Sequence, residues 1–596
     1  MFRPAAGRSF PLFAALALLA VFGGAFIGHG LATYGGCDSF SSRLSRWVGY
    51  SASSPSEPPP IVHNIPIFVP DSDELDLQTL RDMAARTRGF YVRDYSLYLG
   101  WNNMRYIMEA SLLHAALLNR TLLIPSFVYA RACEFDNAVC AQYATMVNRG
   151  DAVHRDDWRD LAPDQQMGWR IPITLMFNIT HLRQTHSVML ISDYLRMHDL
   201  PVDLESTDGH WDLSNYFLKS SGGAAPLSLF AITNDIYESD DVNRVDVISE
   251  GMKTRRQRCV DGSYEQGCGE GDDSWSTVMK TPVYTALEAA LPSDKSYLDW
   301  DVAQRVLHES ELDVSTDEAI EKELNDNGWE VLYTYDGALG MEFVQNVVHP
   351  IRQVAARDSL RGFQDEYGQV NADILLLMGE VHVGRKPGAL RFATPENRDK
   401  YSNMVLHEMQ PPSNVLELAE ILGVRMTELV GGRMWMSGHM RRGDFATLGW
   451  VMEGDFAEHL ERIKDRLAHG RELLRSLNND NFIPYAIPNT TADLALLQRE
   501  PPRKDDKFYI GTDERLPENL DYLRSHGAVL MSDLLTIEDR RRFGWQLMLT
   551  DIGGLVEQAM LARGAYFYGH AMSSVAGGVL NIHAARGADQ RTALLD

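Results

Sequence analysis

The sequence predicts an α/β protein built on parallel, doubly wound sheets, and three observations point there. From Gly431 onward, short apolar strands alternate with amphipathic helices, the pattern of repeated βαβ units. A further unit lies upstream, between Phe90 and Ile124. The run Trp435 to Phe445, WMSGHMRRGDF, reads as a buried strand that ends abruptly in His439, Arg441, Arg442 and Asp444. An open α/β sheet presents groups to a ligand in this way, beyond the carboxyl ends of its strands. Two guanidiniums there suit an anion, because each offers planar paired hydrogen bonds to phosphate oxygens. Strand-end arginines that only pair with surface carboxylates are the competing reading.

At 596 residues the chain exceeds one core and allows two domains with appendages. The 82 acidic against 56 basic residues leave a net charge of −26, which disfavours nucleic acid as a partner. The arginine cluster is thus an exception in an acidic protein.

Residues 1–34 read as a cytoplasmic tail and transmembrane signal anchor: Arg3 and Arg8 precede an apolar run from Phe10 to Ile27 that continues to Ala32, and no acidic residue appears before Asp38. A cleaved signal peptide is the alternative, but its apolar region is usually shorter and ends at a small-residue cleavage site. Residues 35–87, rich in Ser and Pro up to SASSPSEPPP, read as a flexible stem, with order expected from near Phe90. The expected body is an N-terminal Rossmann-like domain with insertions, 88–430, and a C-terminal one, 431–596.

Cysteines and sequons agree with a lumenal body. Cys133 with Cys140 and Cys259 with Cys268 form two close pairs that suit disulfides, although four cysteines allow three pairings. Zinc is a weaker reading, since neither pair has the short gap of a structural zinc motif. Asn119, Asn178 and Asn489 open glycosylation sequons. Asn119 sits between an apolar helix and an apolar strand and is expected to be buried, which leaves Asn178 and Asn489 as candidates.

In chain order, Phe90 to Leu99 predicts a strand, Gly100-Trp101-Asn102-Asn103 a turn, Met104 to Leu118 a helix and Thr121 to Ile124 a strand. Backbone N–H groups at that helix start suit a phosphate or sugar oxygen, although Asn there can be only a cap. Arg131 to Lys280 is irregular and reads as loops and insertions, a place for substrate selection. Asp299-Trp300-Asp301 is a poor metal motif, because two carboxylates define no site. Asp373 to Met378 is a strand; the GEVHVGRKPG that follows it fails as a phosphate loop, with Arg385 in the lysine place and Pro387 close behind. Pro411 to Val430 predicts a helix. Downstream, Asp455 and Glu458 resemble a capping pair before the stripe Phe456, Leu460, Ile463, Leu467. Strands follow at Lys507 to Thr512, Ala528 to Met531 and Ala565 to Tyr568, with a helix through Leu555 and Met560 and a last helix opened by Ser573 and Ser574.

The segments GWNNMRYIMEASLLHAALLNRTLLIPSF, HMRRGDF, FYIGTDE and DIGGLVEQAMLARGAYFYGHAMSSVAGGV, in this order, resemble the successive motifs of the GDP-fucose-dependent fucosyltransferase superfamily, which includes protein O-fucosyltransferases and α1,6-fucosyltransferases. The resemblance implies a GT-B architecture, two Rossmann-like domains facing a cleft, with GDP-β-L-fucose held mainly by the C-terminal one. It also implies inversion at the anomeric carbon and no metal or other cofactor. By match to those motifs, Arg441 binds the β-phosphate and stabilises charge on departing GDP, and His439 braces the diphosphate or the sugar. Arg442 shares this work or holds Asp444. Asp551 contacts the guanine edge, Asp513 lines the nucleotide pocket, Ser573 and Ser574 serve phosphate oxygens, and Gly100, Asn102 and Asn103 reach in from the first domain. Asp513 as a solvated strand-end carboxylate and Ser573 as a plain helix cap remain open. Some protein O-fucosyltransferases carry a Glu just before the first-motif glycine as the proposed base; Tyr98 and Leu99 stand there, so the base is unassigned.

The expected function is inverting fucosyl transfer to a hydroxyl of a protein or glycan acceptor, by a single-pass type II protein of the secretory pathway, in the Golgi or the endoplasmic reticulum. A non-catalytic GDP-sugar- or glycan-binding membrane protein and a transferase of another nucleotide sugar are the alternatives.

Overall fold

Parallel strands buried on both faces read as continuous apolar runs, and such runs build the two central sheets. The structure, a computed structural model, describes residues 74–153, 159, 166–216, 227–233, 242–248, 281–338, 346–379, 390–451 and 453–596. The first sheet contains β1 (Phe90–Arg93), β2 (Thr121–Ile124), β3 (Val188–Leu190), β4 (Leu229–Ile232) and β5 (Ile374–Leu377) in the spatial order β3-β2-β1-β5-β4. The second contains β6 (Met436–Met440), β7 (Phe508–Thr512), β8 (Ala528–Val529), β9 (Tyr566–Gly569) and β10 (Ala593–Leu595) in the order β8-β7-β6-β9-β10. Every pairing in both sheets is parallel. The alternation from Gly431 onward is therefore a doubly wound sheet, as its pattern predicts.

Helices cover these sheets as their apolar faces dictate. α1 (Trp101–Leu117) is buried almost all round, from Met104 to Ala115 without a break, which marks a helix enclosed by protein on every side. α2 (Ser413–Leu429) packs along α4 (Thr550–Leu561). α3 (Phe456–Ser476) buries Leu460, Ile463, Leu467 and Leu474 against β6 and β9, and Asp455 caps it by accepting from the N–H groups of Ala457 (2.8 Å) and Glu458 (3.0 Å). α5 (Ser574–Ala585) follows β9 and packs on α4 and α1.

Several expectations need correction. Order begins before Phe90: Leu77–Ala85, inside the segment read as stem, is a helix with Leu80 and Met83 buried in the cluster that holds Phe90 and Val92. The first strand stops at Arg93 rather than Leu99, because Tyr95 N–H and Leu97 N–H turn to the carbonyls of Gly209 (2.9 Å) and Asp208 (3.2 Å). Asn119 is exposed with φ +51°, since the chain reverses there between α1 and β2 and leaves its side chain outside. The region read as irregular supplies β3, β4 and the strands Met167–Pro172 and Thr145–Asn148, which form an antiparallel sheet with Phe127–Ala130 just before it. Helices and an antiparallel sheet between Pro282 and Ala356 enclose a separate small core around Trp329.

Cys133 and Cys140 are disulfide-bonded. Cys259, Cys268, the signal anchor and most of the stem lie outside the described residues. Among the described residues no helix is long and apolar enough to cross a membrane.

Gly470 shows how closely α3 lies on the second sheet, for a Cβ there would overlap the ring of Tyr566. Gly470→Ala is expected to destabilise the fold by about 1–3 kcal/mol through overpacking. Gly554→Ala, in α4 with nothing within 4 Å of the new Cβ, should be neutral or stabilising by about 1 kcal/mol. Urea denaturation of the two variants checks the contrast, and equal midpoints would contradict this packing.

Candidate functional site

The winding of the second sheet reverses between β6 and β9: the chain lays β7 and β8 to one side of β6, then β9 and β10 to the other. Loops leaving the two strands diverge at such a point and open a crevice outside their carboxyl ends. The loop after β6 carries Arg441 and Arg442. The loop after β9 carries His570, Ser573 and Ser574.

Asp513, just past the end of β7, organises the first loop. Its Oδ2 takes Nη1 of Arg441, and its Oδ1 accepts the Arg442 backbone N–H at 2.8 Å. Asp513 is therefore an engaged carboxylate rather than a solvated strand end. Gly443 permits this approach, since a Cβ there would overlap Asp513 Oδ2. The Arg441 guanidinium lies 5.1 Å from the ring centre of Phe445, against which Trp450 (5.4 Å) and His570 (5.6 Å) also pack edge-on. Arg442 turns away, donating to the carbonyls of Glu453 (3.3 Å) and Gly454 (3.1 Å) and lying over Phe456 at 5.5 Å. The side chain of Asp444 lies outside what the structure describes.

His439 is buried in β6, and its Nδ1 has no hydrogen-bond partner among the described residues. Burial pulls its pKa down to about 3, with Arg441, His570 and His459 adding to the effect. Burial likewise lowers His459 to about 4, against the pull of Glu453. Both rings are neutral at physiological pH, so the cations of this site are arginines.

The sequence-derived residues of the first half meet the second half at two helix starts. Asn102 Oδ1 accepts from Gln558 Nε2 (3.0 Å), which also donates to the Val575 carbonyl (3.0 Å). Tyr106 Oη donates to the Ser574 carbonyl at 2.9 Å. The N-terminus of α1, opened by Gly100, Asn102 and Asn103, is thus held against that of α5. Ser573 occupies the N-cap position of α5, but its side chain makes no capping bond; its N–H donates to the His570 carbonyl at 3.0 Å. Asp551 is committed elsewhere, accepting the Arg131 N–H at 2.6 Å across the halves, and burial raises its carboxyl despite that bond.

Glu557 was not singled out by the sequence. Leu561 packs over Gly511, and one turn back on α4 and two residues along β7 bring Glu557 beside Asp513. Burial, with Asp513 adding, lifts its carboxyl to about 8. The signal available was its place one turn before the buried Leu561 on a helix that packs on the strand leading into Asp513.

Among the described residues no group of three or more His, Cys, Asp or Glu is placed to hold a metal ion. Asn178 caps a short helix by accepting the His181 N–H (2.9 Å), and Asn489 is exposed with φ +54°.

No family model matches the chain, and no curated protein matches it. Among solved structures the chain is similar to POFUT1 in complex with GDP-fucose, at 9% identity and a TM-score of 0.27, covering 85% of this chain and 98% of that one. It is similar to POFUT1 in its apo form at 8% identity and a TM-score of 0.28, with the same coverage. It is also similar to NodZ α-1,6-fucosyltransferase soaked with GDP-fucose, at 10% identity and a TM-score of 0.19, covering 36% of this chain and 52% of that one. These structure neighbours are fucosyltransferases. At such identities and scores the likeness carries no argument about chemistry, which has to come from the residues.

The raised Glu557 makes a pH prediction. Its carboxyl holds its proton more tightly folded than unfolded, so its contribution to stability is complete below about pH 4.5 and is lost as pH rises towards about 8. Glu557→Gln should therefore gain stability relative to the parent across that window. Melting temperatures at pH 5 and pH 8 measure this; parallel shifts of both proteins would contradict it.

Proposed function

We propose that this chain is an inverting glycosyltransferase that moves L-fucose from GDP-β-L-fucose to a hydroxyl group of a protein or glycan acceptor. The observation that carries the reading is the Arg441 guanidinium held by Asp513 at the switch point of the second sheet, in the loop after β6, with Ser573 and Ser574 following the adjacent strand β9. A cation and a helix N-terminus converging on one crevice suit a diphosphate, and the motif resemblance supplies guanine and fucose as what that diphosphate joins.

In the reaction the acceptor oxygen attacks the anomeric carbon from the face opposite the diphosphate. The bond from that carbon to the phosphate oxygen breaks, GDP departs with the electron pair, and the acceptor proton passes to a base or to the phosphate. Arg441 stabilises the charge that grows on the leaving oxygen, a gain largest in the transition state. Asp513 orients this guanidinium and, with the Arg442 N–H, fixes the loop that bears it. Neutral His439 supplies a hydrogen-bonding ring without a second positive charge. The two halves form a GT-B pair, the nucleotide belongs to the C-terminal one, and the reaction needs no metal. We place the body in the secretory lumen, anchored as a type II protein in the Golgi.

Arg441→Ala is expected to remove transfer, by a factor of 100 or more if its role matches that of a typical oxyanion donor, about 3 kcal/mol, while the protein stays folded. Turnover of GDP-fucose against GDP-mannose and a UDP-sugar, with EDTA present, checks donor and metal independence together. Parent-level turnover in the variant, or activity abolished by EDTA, would contradict the mechanism; a preference for another donor would move the reading to a different sugar. Nucleotide binding without turnover on any donor would favour the non-catalytic alternative.

A further inference from the structure

The first sheet has a switch point of its own. The chain lays β2 and β3 to one side of β1, then β4 and β5 to the other, so the winding reverses between β1 and β5. Arg93 is the last residue of β1 and pairs in register with Leu377, the last of β5, at the carboxyl edge where such a sheet takes its ligand.

Its guanidinium is buried, and none of its three nitrogens has a hydrogen-bond partner among the described residues. The other buried arginines there are all engaged. Arg105 donates to Glu109 and to the carbonyls of Val405 and Met409, and Arg120 to those of Phe90, Val370 and Ala372. Arg149 donates to the Tyr98 carbonyl, Arg357 to Glu330 and Arg391 to Gln353. The carboxylate next to Arg93 is spent elsewhere: Asp94 accepts the N–H groups of Trp211 (2.9 Å) and Gly379 (2.7 Å). Groups that feel the Arg93 charge include Tyr91, Tyr95 and His114, which are no counter-ions, since His114 is held neutral by burial, by Arg93 and by Arg244. Three residues beyond Arg93, on the stretch leading to Gly100, Ser96 Oγ is also buried and without a partner among the described residues. A buried cation without hydrogen bonds is costly, and an unmet donor set of this kind marks a place where a ligand completes the bonding.

We propose that Arg93, with Ser96, forms an oxyanion subsite at the switch point of the first sheet, taking the carboxylate of an acidic sugar in the acceptor. The word acceptor rests on the transferase reading, whereas the oxyanion site does not. One sheet thus holds the donor diphosphate and the other selects an acceptor by its negative group.

Calorimetric titration of the GDP-saturated protein with D-glucuronate, D-glucose and inorganic sulfate tests this. Expected is saturable binding of glucuronate but not glucose, weakened at least tenfold in Arg93→Met and less in Ser96→Ala. Sulfate binding as tightly as glucuronate would identify the site as one for a bare oxyanion and overturn the acidic-sugar assignment. Failure of both anions to bind, with GDP binding intact, would overturn the subsite altogether. Failure of GDP to bind while glucuronate still binds through Arg93 would reject the transferase reading alone. Arg93→Met should melt no lower than the parent without ligand; a marked loss would assign the guanidinium to the fold's own bonding and overturn the proposal.

Discussion

The grip of Asp513 on the end of β6 is the constraint on which the site depends. One carboxylate takes a guanidinium and a backbone N–H from consecutive residues, Arg441 and Arg442, and so sets both the direction of the Arg441 side chain and the turn that follows. Glycine at 443 leaves room for the contact, since a Cβ there would overlap Asp513 Oδ2 as it now lies. It also fixes where positive charge stands in a chain whose net charge is −26. With the buried histidines neutral, the positive charge of this loop is that of arginine, which does not titrate in the physiological range.

Around that grip the two sheets repeat one architectural rule. Each reverses its winding beside its first strand, and each places an arginine at the carboxyl edge of the reversal: Arg441 directly after β6, and Arg93 at the end of β1. The sheets are tied where α1 and α5 begin, through Asn102, Gln558, Tyr106 and Ser574. Asp551 adds a second tie to the backbone of Arg131. These bonds close a polar seam between otherwise apolar helices, so the start of α1 is tied to the start of α5.

How much of this was legible in the sequence followed from the strength of local pattern. Strands buried on both faces and helices with a single stripe, such as β6 and α3, stand out because burial dictates their composition. The edge strands β3 and β4 were lost in a stretch read as loops, being three or four residues long and recognisable only by their neighbours in space. Ser574 was placed correctly at a helix start, whereas α1 begins at Trp101, three residues before the expected Met104, so the stretch read as a turn is its first turn, and nothing local announces that the two starts meet. Asp513 could be proposed for the pocket, whereas its partners could not be named, since an ion pair across 72 residues has no period. Glu557 and Arg93 were missed for a similar reason. Each is an ordinary residue by pattern, and only tertiary burial makes it exceptional.

The measurement that bears most directly on the central claim is calorimetric titration of the full-length protein with GDP and with UDP in EDTA. The account predicts selective binding of GDP that disappears in Arg441→Ala while the variant keeps its melting transition. Equal affinity for the two nucleotides, or GDP binding that survives the substitution, would contradict it.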